Sequence, residues 1–335
     1  MGIRSFLCTL TLGFSVCACK GELAPDSHIE VAVKGLHSGA ISDDAALLIA
    51  GSIYHGGSLW RLADKERIFN WNHDSQAPST IIAADFSDDN RWALTAMSHT
   101  LVLWNTQSGQ SERFWTAPAG IRDVELNKDA SLALLALDDN RAVIFNARRG
   151  GIRSTLQHKN RVLSVDFSED ARFAITGSED ETAILWDLRN AQALRTIKHD
   201  APVQLVALSN DGQLALSASK YDKALVWRTE NAEKITEIPL SAERLKRGLV
   251  FSSARFNKDN SRLLTGRPDQ IVQLWQLAPL RELARWQLPK RQRWKPSSVA
   301  VIDVAFQDDA HFVAAGSNGW VYSLSLPAAT ISSSD

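Results

Sequence analysis

Cysteine is almost absent from this chain. Of 335 residues only Cys8, Cys17 and Cys19 are cysteine, and all three fall in the first 19 positions. Beyond them neither an intramolecular disulfide framework nor a thiolate metal site can be built. Net charge is missing too: 37 Lys and Arg against 38 Asp and Glu leave a formal charge of -1. Such a balance supplies no global field to hold a polyanion, so nucleic acid is excluded as a default partner. The 8 His are scattered, and no closely spaced His or carboxylate set has metal-ligand spacing. There is also no phosphate-cradling Gly loop and no nucleophile elbow. No catalytic residue, metal or cofactor is therefore assigned. Finally, no window of the chain carries a convincing helical period.

What is present begins with a processing signal. Arg4 supplies a positive start, and Phe6 to Val16 form an apolar stretch too short to span a bilayer, the pattern of a secretory signal peptide over residues 1–18. The stretch ends in Val16-Cys17-Ala18-Cys19, which resembles the lipobox of bacterial lipoproteins: an aliphatic residue, then a small one just before the cleaved bond, then the modified cysteine. The resemblance implies a lipid-bearing amino terminus at Cys19, with residues 19–27 as a lipidated tether. Cys17 fits less well, because Val16 would then occupy the small-residue position. Phe6 excludes an N-myristoylation motif. Lys20, where an Asp would favour the inner membrane, implies the periplasmic side of the outer membrane.

The rest is repetitive. Ser42-Asp43-Asp44, Ser87-Asp88-Asp89, Asn127-Lys128-Asp129, Ser168-Glu169-Asp170, Ser209-Asn210-Asp211, Asn257-Lys258-Asp259 and Gln307-Asp308-Asp309 recur in series. Their spacing is roughly 40 to 50 residues, the range of a propeller or solenoid repeat. Each cluster separates two short apolar runs, which is a strand-turn-strand signature. About 16 residues after each turn comes an apolar run that usually ends in an aromatic, such as Leu101-Val102-Leu103-Trp104 or Ala183-Ile184-Leu185-Trp186. In the seventh copy, Val321-Tyr322-Ser323-Leu324, the aromatic is lost. Runs apolar on consecutive residues suit strands covered on both faces.

Every unit can be written as four strands, best seen in the fourth: Val162 to Ser168, Phe173 to Ser178, Thr182 to Leu188 and Ala193 to His199. Connections this short make neighbours antiparallel. Thr176-Gly177-Ser178-Glu179-Asp180 followed by Ile184-Leu185-Trp186-Asp187, with His158 ahead of the first strand, resembles a WD repeat. The resemblance covers residues 28–326 and implies an all-β fold, a seven-bladed β-propeller of four-stranded antiparallel blades. Residues 327–335 form a polar tail. In such propellers the leading strand, here residues 29–34, completes the last blade beside Val321 to Leu326. A leading strand that enters from the bottom face, on a tether from Lys20 to Ser27 of at most about 28 Å, would hold the bottom rim towards the membrane.

His158, Thr176, Asp180 and Trp186 include the residue types of a nucleophilic triad. In WD repeats the matching positions form a structural hydrogen-bond chain, and His199, Ser217, Asp222 and Trp227 repeat the set one blade on. A catalytic group is not expected to recur with the period of a fold. Departures from the period are better places for function. Two loops between blades break it, Ser241-Ala242-Glu243-Arg244-Leu245-Lys246-Arg247-Gly248 and Pro289-Lys290-Arg291-Gln292-Arg293-Trp294-Lys295-Pro296, and the resemblance implies that both lie on the face of the propeller called the top. Arg244, Lys246, Arg247, Lys290, Arg291, Arg293, Trp294 and Lys295 are the candidate binding set for an acidic envelope protein or polymer. The expected function is a non-enzymatic interaction scaffold. Two alternatives stay open, an accessory subunit of an envelope assembly and a ligand-binding or enzymatic propeller using the central channel. The channel reading requires polar inner strands, whereas runs such as Val203-Gln204-Leu205-Val206-Ala207 are mainly apolar.

Overall fold

A computed structural model describes residues 22–74, 78–240, 249–291 and 299–327. They form seven four-stranded sheets, and no helix occurs among the described residues. Each sheet is one blade, and its strands are called a to d from the channel outward. Blades one to six span residues 36–71, 83–116, 121–157, 162–198, 203–239 and 253–287; blade seven is residues 301–325 joined by Ser27–Glu30. In blade four the strands are Val162–Phe167, Phe173–Ser178, Thr182–Asp187 and Gln192–Lys198, each boundary within a residue of the sequence reading.

The b strands show why consecutive apolar residues were needed. Leu214–Ser219 is buried at every position, whereas the outer strand Ser111–Thr116 is exposed at almost every one. Neighbouring blades cover both faces of the inner three strands. The hydrophobic core is accordingly not inside a blade but between blades: seven apolar clusters each draw on two adjacent blades, one cluster at every seam. Blade seven meets blade one through Val313, Ala315 and Val321 against Leu36, Leu48 and Ala50. A fully buried aromatic such as Trp71, Trp227 or Trp286 contributes about 4–6 kcal/mol as an upper bound.

The acidic clusters are the a to b turns. The Ser168 hydroxyl donates to Asp170 at 2.7 Å and accepts the Phe173 N–H at 3.0 Å, while the Arg172 N–H donates to Asp170 at 2.9 Å. The next residue adopts the left-handed region in six blades: Ala45, Asn90, Ala130, Ala171, Gly212 and Asn260. In the seventh, Asp308 accepts the Ala310 and His311 amides and no such residue follows.

Closure is made by Ser27–Glu30 against Trp320–Ser323, a strand that starts two residues before the expected 29–34 and ends four before it. The strand stops because the Val31 and Ala32 amides both turn onto the Gly319 carbonyl, and Gly35, at φ 99°, bends the chain into blade one. Nor is the segment ahead of it a free tether. The Leu23 N–H donates to Arg285 O at 2.7 Å and the Gln287 N–H to Leu23 O at 2.9 Å, a parallel bridge on the outer edge of blade six. That edge otherwise offers unpaired backbone groups to solvent.

Candidate functional site: a sealed relay, a charged channel and the top rim

The four residues singled out in blade four meet. The Trp186 indole donates to Thr176 Oγ1 at 2.8 Å, Thr176 Oγ1 lies 2.7 Å from His158 Nε2, and His158 Nδ1 lies 2.9 Å from Asp180 Oδ2. Burial pushes the His158 ring down in spite of Asp180. Burial would raise Asp180, but Thr182, the Lys159 amide and His158 outweigh it and hold the carboxylate below its usual range. A neutral ring beside a carboxylate fixes the tautomer: Nδ1–H donates to Asp180, Nε2 accepts from Thr176, and Thr176 accepts the indole. Thr176 is 0% exposed, so no substrate reaches its hydroxyl, and the relay satisfies buried polar groups.

Blade five keeps only part of it. His199 Nε2 lies 2.9 Å from Ser217 Oγ, but Nδ1 is buried with no partner, and Asp222 bonds Ser219 instead. The Asp222 position, one residue nearer its Trp, is the reason. Blade two holds a relay that sequence reasoning missed. Trp104 donates to Thr95 at 2.7 Å, His73 Nε2 is 2.8 Å from Thr95, and its Nδ1 is 3.0 Å from Thr100, which stands where blade four has Thr182 and takes over the bond that Asp180 makes there. Burial pushes His73 down to about 4. The only signal was the His itself, displaced from the following a strand by a longer loop.

The central channel corrects the expectation of apolar inner strands. A cavity of about 350 Å³ is lined by the a strands of all seven blades. Blade five matches the apolar pattern, but Asp85, Asp123, Glu125, Asp166, Arg255 and Asp303 from the others line the space. Four of these carboxylates reach the next blade: Asp85 accepts the Leu126 N–H at 2.7 Å, Asp123 that of Val165 at 3.1 Å, Asp166 that of Leu208 at 2.6 Å, and Asp303 that of Ile41 at 2.8 Å. Strand a is the inner edge of its sheet, and these bonds occupy amides that no strand covers. Burial pushes Asp85 to about 7, Asp123 to about 6 and Asp166 to about 8. It raises Glu125 well above its usual value, helped by the charge on Asp85, with which Glu125 shares a hydrogen bond. Although burial opposes its charge, Arg255 is held protonated by Asp43, Asp303, Asp85 and Glu125. Its Nη1 lies 2.5 Å from Asp43 and its Nη2 3.6 Å from Asp303. No group of three or more His, Cys, Asp or Glu among the described residues is arranged to hold a metal ion.

Of the basic loop residues, Lys290 and Arg291 are described. Arg244, Lys246, Arg247, Arg293, Trp294 and Lys295 lie outside the described residues, as does Cys19. Arg291 is committed to the ring closure: it pairs with Glu30 at 2.5 Å, donates to the Ala32 and Asn318 carbonyls, and lies 5.9 Å over the Trp320 ring. Beside it on the top face, Val33, Ile53 and Tyr54 are 60%, 51% and 63% exposed. The Ile53 N–H bonds Gly35 O, which joins the loop carrying Val33 and Lys34 to the loop carrying Ile53, Tyr54 and His55.

Residues 150–187, the outer strand of blade three through strand c of blade four, match the family described as WD domain, G-beta repeat. No curated protein matches the chain. The match and the seven-bladed ring together support a WD-repeat β-propeller, a fold that commonly serves as a protein-interaction scaffold and is generally not enzymatic.

Proposed function

We propose that the chain is a non-enzymatic interaction platform, anchored by lipid on Cys19 at the periplasmic side of the outer membrane, that takes an acidic partner on its top rim. The observation carrying this is the exposed group Val33, Ile53 and Tyr54 beside Lys34 and Lys290, on the face where the two basic loops join their strands. Apolar and aromatic side chains edged by cations suit a partial apolar surface with negative charge around it. The channel supports a different role, since its bonded carboxylates are occupied by the amides of neighbouring blades.

In-cell crosslinking with mass spectrometry tests the platform. Tyr54→Ala combined with Lys290→Glu, Arg293→Glu and Lys295→Glu is expected to remove the dominant protein partner. Arg291 is left intact because it clamps the closure. An unchanged crosslink pattern defeats the top-rim reading. Incorporation of labelled palmitate, expected in the natural chain and lost in Cys19→Ser, tests the anchor separately.

A further inference from the structure

We infer that the amino-terminal latch sets the sector of blades six and seven against the phospholipid headgroup surface, so that the propeller stands with this side wall, not its bottom rim, towards the membrane. The inference rests on the proposed lipid anchor at Cys19, and what carries it further is the place where the described chain meets the ring. Leu23, the second of the described residues, is locked to the ring through both of its backbone bonds to the outer strand Arg281–Gln287. Its side chain packs against the cluster of Trp286, Leu288 and Leu326. Within three residues the chain has crossed to blade seven, where the Asp26 N–H donates to Ser323 O at 2.9 Å and Ser325 donates to the Asp26 carboxylate at 3.0 Å.

Only Lys20, Gly21 and Glu22 then separate the lipidated residue from the latch. Four Cα steps reach at most about 14 Å, roughly half the span of a tether running to Ser27. A leash that short on the side wall keeps blade six near the lipid whichever way the ring tilts, and turns blades two and three away from it. The wall fits that neighbour. At its lower end Leu280 and Arg281 are exposed, whereas Arg285, further along the same strand, is paired with Glu282 at 2.6 and 2.8 Å. An exposed apolar side chain next to a cation is the combination that a headgroup layer with anionic lipid accepts.

The chain has no cysteine after Cys19, so one introduced cysteine is the only free thiol of the lipidated protein. A fluorophore is placed on Arg281→Cys in blade six, or on Arg153→Cys on the exposed outer strand of blade three. Each lipidated protein is reconstituted into phosphatidylethanolamine and phosphatidylglycerol vesicles carrying a nitroxide-headgroup lipid. Quenching is expected to be stronger at 281 than at 153. A ten-residue Gly-Ser spacer inserted between Gly21 and Glu22, which leaves the latch intact, is expected to abolish the difference. Equal quenching at the two positions in protein shown to carry palmitate overturns the orientation while leaving the anchor standing. So does a difference that survives the spacer. Absence of palmitate overturns both.

Discussion

Thr176 shows how much one hydroxyl can hold. It accepts the indole N–H of Trp186 and faces His158 Nε2, in a position closed to water. Thr176→Val keeps the shape but leaves both groups unpaired, and a buried unsatisfied group costs about 1–3 kcal/mol. Urea denaturation should therefore show a loss of about 2–6 kcal/mol, the sum for two such groups. A loss below about 1 kcal/mol would mean that water or another side chain replaces the hydroxyl. Ala171 lies at the opposite extreme, holding φ at 50° in the turn after Asp170 without a side-chain bond to justify it. Ala171→Gly should stabilise the fold by about 0.5–1 kcal/mol, read as a higher denaturation midpoint with an unchanged slope. At this scale the sequence was legible where spacing is constant, which is why His158, Thr176, Asp180 and Trp186 could be grouped. His73 escaped because the loop before blade two is longer, and Ser98, which stands where blade four has Asp180, removed the second clue.

The a strands carry a property that no average repeat displays. Blade three reads Arg122-Asp123-Val124-Glu125, blade five reads Gln204-Leu205-Val206-Ala207, and the position of Asp85 or Asp166 is Arg255 in blade six. Charges that change from blade to blade cancel out of any consensus, so the channel ring became visible only when the strands were placed around one axis. Its consequence is a pH dependence. Asp166 at about 8 and Asp85 at about 7 keep protons that the unfolded chain, titrating near 4, has released. Burial is the main cause for both, with Asp85 adding to Asp166 and Arg255 opposing it. Their stabilising contribution is complete below about pH 4 and is lost as pH rises through 7 and 8. His73 and His199, pushed by burial to about 4, act in the other direction, since their contribution is present above about pH 6.5 and lost as pH falls towards 4. The two effects oppose each other in acid, but above about pH 6.5 the carboxyls act alone. The melting temperature should fall between about pH 6.5 and 8.5, by at most about 1.4 kcal/mol of stability per pH unit for each extra proton held. Asp166→Asn, which keeps an oxygen for the Leu208 amide, should flatten the slope. An identical slope in that variant would remove Asp166 as a source.

The whole molecule differs from an open repeat array in one respect: the seam between blades seven and one exists only because the ring closes. In an open array each unit touches only its neighbours and stability is close to a sum over units and interfaces. Here a four-residue strand joins the two ends, and the period of the turns showed in advance that seven units would need it. The latch at Leu23 was not legible, because Glu22-Leu23-Ala24-Pro25-Asp26 occurs once and has no repeated partner to compare. The closing strand can be tested without touching the core. The Val31 N–H donates to Gly319 O, and the same antiparallel register pairs Ile29 with Val321, so the Ile29 N–H faces blade seven. Ile29→Pro removes that donor and fixes φ, a change that costs about 3 kcal/mol where a backbone bond is broken. The cost should fall on one place. Amide hydrogen exchange in Trp320–Ser325 should accelerate by about a hundredfold, the factor that corresponds to about 3 kcal/mol, while Thr182–Asp187 in blade four keeps its protection. Equal acceleration in both blades would mean that the ring opens as one unit; no change in either would mean that the Leu23 latch holds the seam without the strand.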